Sequence, residues 1–165
     1  MGELLRRYGL VLFLGIAIAG CSDDDPGLQI TGPEVPTGQG RVYPITEVSF
    51  AANDGVEVSA LFGALNGGQA LPVVILLHDL GGDKGDWLSS TSTYVELLER
   101  NYAVLAIDMR GHGDTPLPED RQVLQLADLE NSFLDVHAAL TWLQSQSGVD
   151  PNRVAVIGSG SGANV

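Results

Sequence analysis

The chain is poor in cysteine, in positive charge and in long apolar runs, and each shortage excludes something. Cys21 is the only cysteine among 165 residues, so no intramolecular disulfide can form, even in an oxidising compartment. Eight Lys and Arg stand against 21 Asp and Glu, for a formal net charge of −13. That balance leaves no basic patch to meet nucleic acid or an acidic lipid surface. The longest signal-like apolar stretch, residues 10–19, is too short to cross a bilayer, which takes about 20 residues. No internal repeat is visible, which excludes a solenoid or propeller.

The short apolar stretch is well placed for another purpose. Arg6 and Arg7 precede it and Gly20 and Cys21 follow it, the layout of a secretory signal. Ile18-Ala19-Gly20-Cys21 resembles the bacterial lipobox, in which the cysteine thiol is diacylated and becomes the mature N-terminus. A small residue before the thiol lets the signal peptidase reach the backbone. The resemblance implies that residues 1–20 are removed, that Cys21 is acylated, and that the protein's first partner is a membrane of the bacterial cell envelope. Ser22 stands where inner-membrane retention uses Asp, which favours the outer membrane. Three alternatives stay open: an ordinary cleaved signal with an incidental cysteine, an uncleaved anchor, and a twin-arginine signal at Arg6-Arg7, whose surrounding residues fit poorly.

Residues 21–41 read as a disordered acidic tether. Asp23-Asp24-Asp25 is a charge run, and Pro26, Pro33 and Pro36 alternate with Gly27, Gly32, Gly38 and Gly40. Such a segment buries too little apolar surface to offset its ordering entropy. The acidic triplet reads as solvated chain rather than as a metal site.

From Val42 onward the composition is globular. Residues 42–50 and 56–65 predict two strands joined by Ala52-Asn53-Asp54-Gly55, whose Asp-Gly supplies the positive φ of a hairpin turn. Gly67-Gly68 then breaks the chain. Residues 72–78 and 102–108 are apolar without alternation, the pattern of strands covered on both faces. Residues 94–100 predict a short helix. Leu126, Leu129, Phe133, Val136, Leu140 and Leu143 recur at spacings of three and four, which predicts one helix over 124–147 with those residues inward. Gly148 ends it, and residues 153–157 form another buried strand. Strands alternating with helices predict an α/β domain over 42–165, with a mostly parallel sheet and a leading antiparallel hairpin.

What is missing at the C-terminus is a serine. Gly158-Ser159-Gly160-Ser161-Gly162 follows a strand and leads toward a helix, the context of the G-x-S-x-G elbow, whose nucleophile sits at a strained φ/ψ between glycines. In register with Gly158 and Gly162, the nucleophile position is Gly160. Ser159 and Ser161 are each one residue off, and Ser161 is the alternative nucleophile if the turn shifts.

Together with two earlier motifs, this elbow resembles the α/β-hydrolase superfamily, in the branch of dienelactone-hydrolase-like and serine-aminopeptidase-like proteins. His78-Asp79-Leu80-Gly81-Gly82 is similar to the H-G-x-G oxyanion loop, with Asp79 in place of the first glycine. Asp108-Met109-Arg110-Gly111-His112-Gly113-Asp114-Thr115 is similar to the family's D-x-R-G-H-G-x-S turn. The resemblance implies the N-terminal half of that fold, an activity on small esters or peptides, and neither cofactor nor metal. An intact member attacks an acyl carbonyl with serine, activated by a histidine that a carboxylate orients. The resemblance places the oxyanion donors at Leu80 and Ser161, and the acid and histidine beyond Val165. His78 then braces the oxyanion loop, while His112 has a packing role and His137 is a helix histidine. The chain is therefore expected to be a C-terminally truncated piece, inactive as it stands. It is the remainder of a lipid-anchored hydrolase, a non-catalytic relic used for binding, or a non-functional fragment.

Overall fold

The computed structural model describes residues 34–36, 42–65 and 69–165. The signal segment, Cys21, Gly67-Gly68 and most of the expected tether lie outside the described residues. Within the expected tether, β1 (Glu34–Pro36) pairs antiparallel with the start of β2 (Val42–Ala51), so that part of the segment is strand.

β2 turns into β3 (Glu57–Gly63) through the Asp54-Gly55 turn. Gly55 takes φ +87 there, and the turn closes through Gly55 N–H donating to Ala52 O at 2.9 Å. β4 (Leu71–Leu77), β5 (Ala103–Ile107) and β6 (Val149–Gly158) complete a sheet of order β1-β2-β3-β5-β4-β6. β4 is parallel to both β5 and β6, while β3 runs antiparallel to β2 and β5. This is the expected α/β architecture, a leading hairpin followed by parallel strands, but the sheet is mixed rather than mostly parallel. β1–β2, β2–β3 and β3–β5 pair antiparallel, and only β4–β5 and β4–β6 pair parallel.

The apolar runs without alternation are explained by cover on both faces. From β4, Val73, Ile75 and Leu77 point to one core, with Leu105, Ile107, Ala139 and Leu143. Val74 and Leu76 point to the other, with Tyr43, Leu61, Leu98 and Ala106. α1 (Asp86–Ser89) and α2 (Thr93–Glu99) cover that second face through Leu88, Tyr94 and Leu98. Tyr94 is fully buried, and its hydroxyl lies 3.2 Å from both Leu61 O and Val104 O, so its polar tip is satisfied. α4 (Phe133–Leu143) covers the first face.

The single helix expected over 124–147 is two: α3 (Leu126–Glu130) and α4. Their inward residues also differ from the expected stripe. Asp128, Ser132, Asp135, Ala138, Ala139 and Leu143 are buried, whereas Leu126 is 71% and Phe133 53% exposed. Two forces produce the difference. Small alanines let the helix approach the sheet closely, and Asp135 is drawn inward by a buried cation, Arg110. Among the described residues β6 has no neighbour beyond β4, so the strand expected to be buried leaves its Val156 and Ile157 49% and 39% exposed.

Candidate active site

The loops after β4, β5 and β6 converge at the ends of the parallel strands, where side chains can project past the sheet. After β6, Ser159 is extended and donates its N–H to Leu77 O at 2.9 Å. Gly160 then turns to φ +51 and opens a short 3-10 turn, Gly160–Asn164. Only a backbone free to enter the left-handed region makes this bend without strain. Gly162 passes so close to the preceding loop that a Cβ there would lie 2.5 Å from His78 O. A Cβ on Gly158 would strike the Gly162 carbonyl. The two outer glycines thus permit a tight strand–turn–helix elbow, and the residue at its apex is Gly160.

The loop after β4 meets that apex through Asp79. Its Oδ1 accepts N–H bonds from Leu80 and from Ser161, each at 2.7 Å. The Ser161 and Leu80 N–H groups hold the Asp79 carboxyl below the usual carboxylate range, since both bonds favour the charged form. A Cβ built on Gly160 would fall on the Asp79 carboxyl group itself. The Ser161 hydroxyl is enclosed and meets no partner in hydrogen-bond geometry, although it lies near enough to Asp79 to add to the hold on its charge. The Leu80 side chain is exposed beside this arrangement.

His78 is fully committed as a brace. Its Nδ1 lies 2.7 Å from Asp79 O, and its Nε2 accepts the Met109 N–H at 3.0 Å. Burial is the main cause that pushes its pKa down, and the neighbouring His112 adds to it. A neutral ring with both nitrogens engaged holds two loops together and has no lone pair for proton transfer. The His112 ring packs 4.9 Å from His78, and its Nδ1 lies 3.1 Å from Arg110 O. His137 is exposed on α4.

The turn after β5 is a hub of buried charge. Asp108 accepts Lys84 N–H at 2.6 Å, Lys84 Nζ at 2.7 Å and Asp114 N–H at 2.8 Å. A Cβ on Gly113 would strike this carboxylate, and one on Gly111, at φ +76, would lie 2.7 Å from Leu117. Arg110 is buried, with Nη2 and Nε on Asp135 at 2.7 and 3.1 Å and Nη1 on Asp54 at 2.7 Å. Burial alone would lower the Lys84 pKa, but hydrogen bonds to Asp108 and Asp114 raise it above its usual value. These bonds fix the loop after β5 to the loop after β4, to the hairpin turn and to α4.

Sequence reasoning did not anticipate Lys84, Asp54 and Asp135 as partners of this turn. A signal for Asp135 existed, in a carboxylate between Leu134 and Val136. Among the described residues no group of three or more His, Cys, Asp and Glu could hold a metal. No helix among them is long and apolar enough to cross a membrane. The surface cleft lined by Glu47, Ser49, Glu57, Ser59 and Asp114 shares no residue with the elbow.

Known proteins resemble this chain in sequence and in fold. Residues 74–165 match the sequence profile of the Alpha/beta hydrolase family. Over 116 residues, covering 70% of this chain and 36% of the relative, the sequence is 31% identical to the quorum-quenching protein AidA of Acinetobacter baumannii (strain MDR-ZJ06). The Pyrococcus furiosus esterase Pf2001 is similar in structure, with TM-score 0.55 and 26% identity over 73% of this chain and 44% of its own. The α/β hydrolase GrgF from Penicillium sp. sh18 shares the fold, with TM-score 0.63 and 22% identity over 73% of this chain and 39% of its own. The chain thus spans well under half the length of these proteins.

Proposed function

The chain belongs to the alpha/beta hydrolase family, and from that premise we propose that it is a lipid-anchored, extracytoplasmic member whose elbow performs no serine-dependent turnover. One observation carries the catalytic part. The position that a nucleophile would occupy is Gly160, and the Leu80 and Ser161 N–H groups point at the Asp79 carboxylate. A serine hydrolase needs a hydroxyl at the apex and free N–H donors for the oxyanion. Here the hydroxyl is missing and the donors are engaged. His78, the histidine in the adjoining loop, has both ring nitrogens occupied, so it supplies no general base.

The anchor rests on Arg6-Arg7, the apolar stretch that follows and Ile18-Ala19-Gly20-Cys21, a layout that fits acylation of Cys21 and export to the envelope, the outer membrane first. The ligand class of the whole protein is a small ester, with peptides second. The esterase among its structural relatives supports that order.

A fluorophosphonate probe tests the catalytic reading. Intact chain in an envelope fraction should label no more than a heat-denatured control. Gly160→Ser alone should restore little, because the new Cβ meets Asp79. Strong labelling that disappears in Ser161→Ala would overturn the reading and move the nucleophile one residue along.

A further inference from the structure

We propose that the Leu80 and Ser161 N–H groups form a carboxylate receptor whose resident ligand is the side chain of Asp79, and that the glycine at 160 is the steric condition for that occupancy. This deepens the reading of the elbow as non-catalytic, and rests on it.

The two donors come from segments far apart in the chain, yet they meet on one oxygen, Asp79 Oδ1, each at 2.7 Å. Bonds of that length between N–H groups and an ionised oxygen are charge-assisted, stronger than neutral ones. The ionised form is the one the site favours, as the low position of the Asp79 pKa shows. The site therefore has the chemistry of a carboxylate receptor: two convergent backbone donors around a single anionic oxygen.

Residue 160 decides whether that receptor is filled. With no side chain at Gly160, the carboxyl group fits; a Cβ would fall on Asp79 Cγ and both of its oxygens. A side chain at 160 and the Asp79 carboxylate at this site are mutually exclusive. The aspartate in the oxyanion loop and the glycine at the elbow apex are therefore one substitution in two places.

Asp79 is exposed on its outer side, so it behaves as a tethered ligand rather than a buried strut. A free anion must compete with a carboxylate that never leaves the neighbourhood, and tethering of this kind acts as a high effective concentration. The wild-type site consequently refuses external carboxylates. Without the Asp79 carboxylate, the same two N–H groups take a small monocarboxylate such as acetate.

The test is amide NMR on the ¹⁵N-labelled full chain in detergent micelles, reading Leu80 and Ser161 with acetate as the probe. In wild type both amide protons should lie downfield and ignore added acetate. Asp79→Ala should remove the downfield shift at both residues, and acetate should restore it along a saturating curve. Gly160→Ala should move both amides upfield while Asp79 is still present. If Asp79→Ala does not fold, Asp79→Asn, uncharged but of the same shape, should still move Ser161 upfield. An unchanged Ser161 amide in either Asp79 variant, or acetate shifting wild type as strongly as Asp79→Ala, would overturn the proposal. Fluorophosphonate labelling of wild type would instead defeat the non-catalytic reading and leave these shifts as they are.

Discussion

Met109 donates its backbone N–H to Nε2 of His78 across 3.0 Å, and that bond joins the Lys84–Asp108 contacts in tying the loop after β5 to the loop that carries Asp79. The acceptor must be a neutral imidazole, because a protonated ring has no lone pair to offer.

A pH dependence follows with a definite sign. Burial lowers the His78 pKa from 6.5, so the unfolded chain binds a proton more readily than the folded one. The stability contributed by neutral His78 is complete above the unfolded value and declines as pH falls below about 6.5 toward the folded value. Thermal unfolding of wild type and His78→Gln should diverge above pH 6.5 and converge as the pH drops. Parallel curves across that interval would show that the ring's protonation is not linked to folding.

Breaking the Arg110–Asp135 pair should be severe. Both side chains are almost fully buried and bonded through two guanidinium nitrogens. Without Asp135 the buried Arg110 keeps only the part-exposed Asp54 as counter-ion, so the loss should approach the about 3–5 kcal/mol typical of a broken buried pair. Asp135→Ala should lower the melting temperature strongly, while Arg110→Met combined with Asp135→Leu should lose less. A double variant as unstable as Asp135→Ala would mean that packing around the pair, rather than its charge, sets the cost.

The open side of β6 should drive self-association. Among the described residues its outer edge has no partner strand, and Val156 and Ile157 present apolar surface to solvent, a combination that invites pairing with another chain. Residues 42–165 should run as oligomers in light scattering, and Val156→Lys should shift them toward monomer. A monodisperse wild-type monomer with a cooperative melt would count against this.

Acylation of Cys21 is checked by metabolic palmitate labelling, which should mark wild type and not Cys21→Ala. Equal label in the two would refute the anchor.

The elements that the sequence made legible are those where one force dominates. The β4 and β5 segments are covered on both faces, so continuous apolar runs are the only pattern they can show. The Asp54-Gly55 turn needs a positive φ, and only its glycine supplies one cheaply. The helical region was misread where two forces compete. Hydrophobic periodicity selects Phe133 and Leu140, but the inward stripe is set by close approach at Ala138 and Ala139 and by the ion pair at Asp135. No periodicity encodes Arg110 as the partner on another loop. At the elbow, the sequence displays both oddities, an aspartate at 79 and a glycine at 160. Their contact spans a long loop closure, so neither oddity announces the other.

The outer glycines of the elbow have a meaning separate from chemistry. Gly162 lies against the carbonyl oxygens of Leu77 and His78, and Gly158 lies against Gly162, so those positions record how tightly two main chains are wound past each other. That winding is a property of the scaffold's shape and is indifferent to whether a hydroxyl stands at the apex. Glycine spacing in such a motif is thus a ruler for backbone clearance. It recognises the architecture of this chain correctly while remaining silent about whether the architecture still carries out a reaction.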